Sequence, residues 1–335
     1  MFVSATPTGS GAGVDALRVG QAQYNPAIDY ARSSSGGNAT RLAELTYWGF
    51  ARDAIAVVTF GTRTNLCITQ QQLKDVYSLA ITNWNQLVDC TGTPYPAAPI
   101  IPWAMNSASG TNASFNAYIA PVSTATNGRK LNPVAPSAAV APFENDVKPL
   151  LADTGPDLIA NTADDEENNY IWWISYAAHA TYPYVKNGCK DNIGTYSITS
   201  GTCTGGTLVT SNLAKVTSTA TPTAGILPNP GSINDGTYPI FRTIYHVTRN
   251  TDADCRTPAG SSGTCTAGPE VAGTTLGKGG AVREFTEWLC RSSNAQQATN
   301  PVTGRNYRVD IGLAIQAEGF QIAPIVNGYR CEIQT

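Results

Sequence analysis

The chain has 335 residues, with 21 basic and 24 acidic side chains giving a formal charge of −3. Only 13% of residues are charged and 42% are hydrophobic, against roughly 25% charged in an average soluble domain. A mild negative charge argues against a nucleic-acid binder, which carries a basic patch or stripe, and no run reaches the roughly 18 apolar residues of a transmembrane helix.

At roughly 150 residues per domain the length suggests about two domains. Residues 1–5 read as a short strand, and residues 7–13 (PTGSGAG) as a glycine-rich turn before a helix over Val14–Val19. A short strand over Ala27–Ala31 ends in the polar turn RSSSGG, residues 32–37. Asp53–Phe60 (DAIAVVTF) is a near-continuous apolar run with β-branched residues. It predicts a strand buried on both faces of a parallel sheet. Leu73, Val76 and Tyr77 fall at helical spacing and predict a helix over Thr69–Ser78, with Thr69 as its N-cap. Ile100–Ala104 reads as a strand, and Ser107-Ala108-Ser109-Gly110-Thr111 leads into an amphipathic helix over Asn112–Ile119.

The middle is less regular. Residues 121–170 are rich in Pro, Ala and Asn, and Ile171–Ala180 (IWWISYAAHA) reads as a helix or a buried segment. Residues 186–236 are rich in Gly, Thr and Ser and predict loops and short strands. Tyr238–Arg249 reads as a long strand, Ala281–Arg291 as a helix and Phe320–Ile325 as a closing strand. Strands alternating with helices in the first half predict an α/β architecture with a parallel sheet.

The eight cysteines lack CxxC or HxxxH spacing, so they read as disulfides rather than as a zinc site. Eight cysteines allow 105 connectivities. The sequence-adjacent scheme is expected: Cys67–Cys90, Cys189–Cys203, Cys255–Cys265 and Cys290–Cys331. The second and third pairs would staple Gly/Thr-rich segments that have little core of their own. Disulfides and a surface of neutral hydroxyls point to an exported chain, secreted or held in the cell envelope. Residues 1–17 carry no basic stretch followed by an apolar one, so the chain is expected in a mature, trimmed or mis-started form.

His179 and His246 have no sequence neighbours that would make a triad, and structural roles are expected for both. GxSxG, HExxH and GxxxxGK[ST] are all absent from the sequence, so neither an enzyme nor a cofactor is expected. Asp153, Asp157 and Asp164 place oxygen ligands at short spacing for Ca²⁺, or form a solvated acidic loop. Trp172-Trp173 and Tyr182-Pro183-Tyr184 read as core packing, with a sugar platform as the other reading.

Two segments share a strand, a turn of Ser, Gly and Thr, and then a helix: residues 8–13 and 107–111. A helix N-terminus attracts anions through its unpaired N–H groups and its dipole, although SGT also makes an ordinary N-cap. A third hydroxyl cluster, Ser33-Ser34-Ser35, follows a strand. The runs GSGAGVDAL, IDYARSSSGG, AIAVVTF, LKDVYSLAITNWNQL and IIPWAMNSASGTNASFNAYI, in this order, resemble the solute-binding proteins of phosphate ABC transporters. YPIFRTIYHV, AVREFTEWL and GFQIAP extend the likeness to about two-thirds of the chain, with a gap at about 121–236.

The resemblance implies a type 2 periplasmic-binding-protein fold, two α/β lobes joined by two crossing hinge strands. Residues 1–59 plus 243–335 would form lobe 1 and residues 60–242 lobe 2, with hinges near Val57–Phe60 and Phe241–Tyr245 and an irregular insertion at about 121–236. It also implies that the family's first strand is missing here, its edge to be covered by another chain if not by an absent segment. By resemblance, Ser10 matches the ligand-holding serine, and Ser109, Gly110 and Thr111 match the SGT donors. The family's proton-accepting aspartate falls on Ser34, its clamping arginine on Met105 and the aspartate orienting that arginine on Ser107. Three charged positions have thus become uncharged. The expected ligand set is Ser10, Gly11, Arg32, Ser33, Ser34, Ser107, Ser109, Gly110 and Thr111, with Arg32 or Arg18 as replacement countercharge. The implied function is a divergent, secreted solute-binding protein of actinobacterial type that delivers a small oxyanion to an ABC permease or sensor. The competing reading is a structural or assembly protein of the envelope, or of an extracellular filament, that keeps the fold without the phosphate site.

Overall fold

The computed structural model describes residues 9–25, 28–107, 109–127, 167–190, 194–250, 296–299, 306–309, 311–323 and 331–334, with Val282, Phe285, Thr286, Leu289 and Cys290. The chain forms two compact units, Met1–Arg52 with Thr243–Thr335, and Asp53–Arg242. In chain order the elements that matter are α1 (Ser10–Leu17), β1 (Ala31–Ser33), β2 (Leu45–Phe60), β3 (Leu66–Thr69), α2 (Gln70–Tyr77), β4 (Ile101–Pro102), α3 (Gly110–Ile119), β5 (Tyr170–Ser175) and α4 (Tyr176–Thr181). They continue with β6 (Leu208–Leu213), β7 (Lys215–Thr217), β8 (Phe241–Arg249), α5 (Ile311–Ala317), β9 (Gln321–Ile322) and β10 (Glu332–Gln334). The unit boundaries fall inside β2 and β8.

In the first unit, β8 lies antiparallel to β1, with Ala31 opposite Val247 and Ser33 opposite Tyr245. The first half of β2 pairs antiparallel with β9 and β10. Val14 and Leu17 bury the inner face of α1 against Ala31, Leu45, Tyr47 and Val247. Trp48 packs beside the Cys290–Cys331 disulfide.

In the second unit, the other half of β2 is flanked by β5 and β6, both antiparallel, with Val57 opposite Trp173 and Thr59 opposite Asn212. This corrects the expectation of a parallel sheet. Ala54–Val58 and Phe60 are fully buried, as the apolar run predicts, but such a run records two covered faces and says nothing of strand direction. Among the described ladders of this unit, β4 on β5 and β7 on β3 are parallel.

The core of this unit is aromatic. Trp84, Trp103, Trp172, Trp173, Tyr77, Tyr170 and Phe115 are buried there together. Helix α2 starts as the sequence predicts, because Thr69 and Gln72 form a capping box. The Gln72 N–H donates to Thr69 Oγ1 and the Thr69 N–H to Gln72 Oε1, both at 3.0 Å. The two orphan N–H groups thereby satisfy each other's side chains.

The run IWWISYAAHA splits at Ser175 into β5 and α4. Ser175 is the N-cap, its Oγ accepting from the Ala178 N–H at 3.2 Å. The disulfides Cys67–Cys90, Cys189–Cys203 and Cys290–Cys331 pair as the sequence predicts. The fourth pair, Cys255–Cys265, and the acidic group Asp153, Asp157 and Asp164 lie outside the described residues.

His179 on α4 is buried, with Nε2 3.2 Å from Ser211 Oγ. Ser211 gives its own proton to the Lys186 carbonyl at 2.9 Å, so Nε2 carries the hydrogen. Burial first, and then the Lys186 charge, pull the imidazole down from its ordinary 6.5 to about 4. The folded pKa is depressed, so this group costs nothing above about 6.5, and stability falls as pH drops from there toward 4. The full penalty is about 3 kcal/mol. In urea unfolding, His179→Gln should lose less stability than the parent between pH 7 and 4, and parallel pH profiles would refute this.

Candidate functional site

In the first unit the predicted hydroxyl turns do meet. Ser10 opens α1, which has no side-chain cap. Its Oγ lies 3.1 Å from Ser34 Oγ and accepts from the Ser34 N–H at 3.2 Å. Residues 24 apart in sequence thus form one cluster at the start of α1. Ser33 is buried and gives its hydroxyl to the Ser35 carbonyl at 2.7 Å. Gly11 lies in the first turn of α1. Arg32 points outward from β1 and is exposed. Arg18 is buried but committed, with Nη2 2.6 Å from Glu44 Oε1 and Nη1 3.8 Å from Asp15. The Gly20 N–H first, and then Arg18, hold the Glu44 carboxyl below its usual range.

The second unit holds the SGT turn. Ser109 is the N-cap of α3, its Oγ accepting from the Thr111 N–H at 3.1 Å. Ser109 and Thr111 are buried, Gly110 is half-buried and Ser107 lies on an exposed turn. Met105 packs into the aromatic core, 3% exposed.

The cation here is Arg242, at the start of β8. It is 8% exposed, and its Nη1 donates to Thr111 Oγ1 in a short hydrogen bond. Its Nε and Nη2 donate to Asp53 Oδ2 at 3.1 and 2.8 Å. Asp53 is wholly buried in β2. Its Oδ2 also accepts from Ser175 Oγ at 2.8 Å, and its Oδ1 accepts from the Ala177 N–H at 3.0 Å. A guanidinium, a carboxylate and hydroxyls from β8, β2, β5 and α3 are thereby joined at the start of α3.

A family model described as the PBP superfamily domain matches residues 1–264. The chain belongs to the PBP superfamily. Solved structures with a similar fold include a protein from Clostridium perfringens assigned as a phosphate ABC transporter substrate-binding protein, with phosphate bound. It is 15% identical over 94% of this chain and 85% of that chain, with a TM-score of 0.49. PstS from Borrelia burgdorferi is 17% identical over 95% and 86%, with a TM-score of 0.44. A phosphate-binding protein from Stenotrophomonas maltophilia is 12% identical over 96% and 83%, with a TM-score of 0.45. No curated protein matches the chain.

In this PBP-superfamily chain the structure brings Ser10 to Ser34, and Ser109 to Thr111. Arg18 is held by Glu44, while Arg32 stays exposed on β1. Sequence reading missed Arg242 and Asp53. A signal was available, because Arg242, Ile244 and His246 alternate along β8 and all three are buried. An arginine in phase with a buried face needs an anionic or strongly accepting partner.

Proposed function

We propose that this protein is an extracytoplasmic solute-binding protein that takes a small tetrahedral oxyanion of the phosphate class at a helix start lined by hydroxyl and backbone donors. The candidate donors are Ser10, Gly11 and Ser34 at the start of α1, and Ser109, Gly110 and Thr111 at the start of α3; Ser33 already gives its hydroxyl to Ser35. Ligand binding would present a ligand-dependent surface to an ABC permease or a sensor. The observation that carries the reading is that each unit of a PBP-superfamily chain contains a helix start lined by hydroxyl groups. One is uncapped and lined by Ser10 and Ser34; the other is built from Ser109 and Thr111 beside a buried arginine.

Titration calorimetry with phosphate and with sulfate tests it. Saturable binding is expected, and Ser10→Ala combined with Thr111→Val should weaken it by at least about tenfold, since hydrogen bonds to a charged ligand are worth about 1.5–3 kcal/mol each. No heat at millimolar concentrations of either anion would sink the proposal. A second reading draws on Met105, a buried apolar side chain at the position where the resemblance puts an arginine. On that reading the chain is an envelope or filament assembly protein that has kept the fold alone, and an absence of binding would favour it.

A further inference from the structure

The start of α3 presents an electrostatic conflict. The N-terminus of a helix carries a partial positive charge and favours anions, yet a nearly buried guanidinium stands there against Thr111. Asp53 answers only one edge of it. A guanidinium has five N–H donors; Asp53 takes two of Arg242's and Thr111 takes one. Two have no partner among the described residues. Cation and helix start are each the wrong neighbour for the other, and an anion placed against both relieves both.

We infer that Arg242 is the cation that binds the oxyanion at the start of α3, supplied from β8 rather than from the turn before the helix, and that Asp53 is its positioning residue. This rests on the oxyanion reading above. Met105, where the resemblance places an arginine, is packed among apolar side chains and holds no charge to offer. Asp53 cannot itself hold the ligand through a proton, because four donors already occupy its two oxygens. Its work is to fix the Nε–Nη2 edge of the guanidinium, which leaves one N–H on Nη1 and one on Nη2 to meet an oxyanion.

The test is calorimetry on the full chain with sulfate and with phosphate, at pH 6 and pH 8, for the parent, Arg242→Met and Arg242→Lys, with urea unfolding of each as a check on folding. Arg242→Met should weaken sulfate binding by about 10- to 100-fold, the range expected for a lost charge-assisted contact. The loss should be larger for sulfate and for phosphate at pH 8 than for the more protonated phosphate at pH 6. A purely structural role would weaken all of them alike, and that pattern would overturn the assignment. Arg242→Lys keeps the charge but not the fork, and should recover only part of the affinity. Should Arg242→Met fail to fold, Arg242→Lys decides, because affinity equal to the parent's overturns the inference. Parent binding with folded variants that match it defeats the Arg242 assignment alone. Absence of binding in the parent defeats the oxyanion reading and this inference together.

Discussion

Asp53→Ala is expected to lower the unfolding free energy by about 3–5 kcal/mol, the cost of breaking a buried ion pair from one side. Asp53 is wholly buried and Arg242 is 8% exposed. The substitution removes the acceptor for four donors at once: Arg242 Nε and Nη2, Ser175 Oγ and the Ala177 N–H. The worst of these losses is the guanidinium, which cannot shed its proton and is left charged with little exposure to water. Asp53→Asn should cost less, since one carbonyl oxygen remains to accept. The pair Asp53→Leu with Arg242→Met should be more stable than Asp53→Ala alone, because apolar side chains of similar volume leave no uncompensated charge. Urea unfolding at pH 7 measures all three. A cost below about 1 kcal/mol for Asp53→Ala would show that Arg242 finds other compensation, and a double variant as weak as the single one would refute the ion-pair account.

Trp173→Ala is expected to cost a similar 3–5 kcal/mol through the cavity it leaves. Trp173 lies on β5 opposite Val57 of β2 and is wholly buried. Its ring stacks on Phe115 of α3, with centroids 4.5 Å apart and planes at 16°. Phe115 in turn meets Tyr77 of α2 edge-on at 5.5 Å. One indole therefore ties the central strand to the helix that carries Thr111 and, through Phe115, to α2. Such ring pairs add about 0.5–1.5 kcal/mol beyond the area they bury. Trp173→Phe should retain part of the stacking and cost less than the alanine variant. Ile198→Ala, at a side chain 58% exposed, should stay within about 0.5 kcal/mol of the parent. Near-equal effects at Trp173 and Ile198 would mean that the aromatic core collapses around the gap.

Elements whose signal is local were legible. Thr69 and Gln72 lie three residues apart and satisfy each other directly, so the start of α2 needs nothing from elsewhere in the chain. The run Asp53–Phe60 is a buried strand because β-branched apolar residues leave it no stable exposed face. What a run cannot encode is the direction of its partners, and β5 and β6 proved antiparallel. In IWWISYAAHA the apolar residues continue through the change from strand to helix. Only Ser175, capping α4 while its hydroxyl donates to Asp53, marks the boundary.

The sequence by itself determined the α/β class, the three described disulfides, and the serine, glycine and threonine residues at two helix starts. The helix starts and the α/β class follow from local patterns along the chain, and each disulfide joins cysteines adjacent in sequence, 14 to 41 residues apart. The tertiary structure alone decided where the charge goes. Arg32 and Arg18 lie near the serine turns in sequence, yet one faces outward and the other is bound to Glu44. Arg242 is 189 residues from Asp53 and 131 from Thr111, and reaches both because all three residues fold into the second unit. A charge's partner is chosen by proximity and burial, and proximity across such separations exists only once the strands have paired.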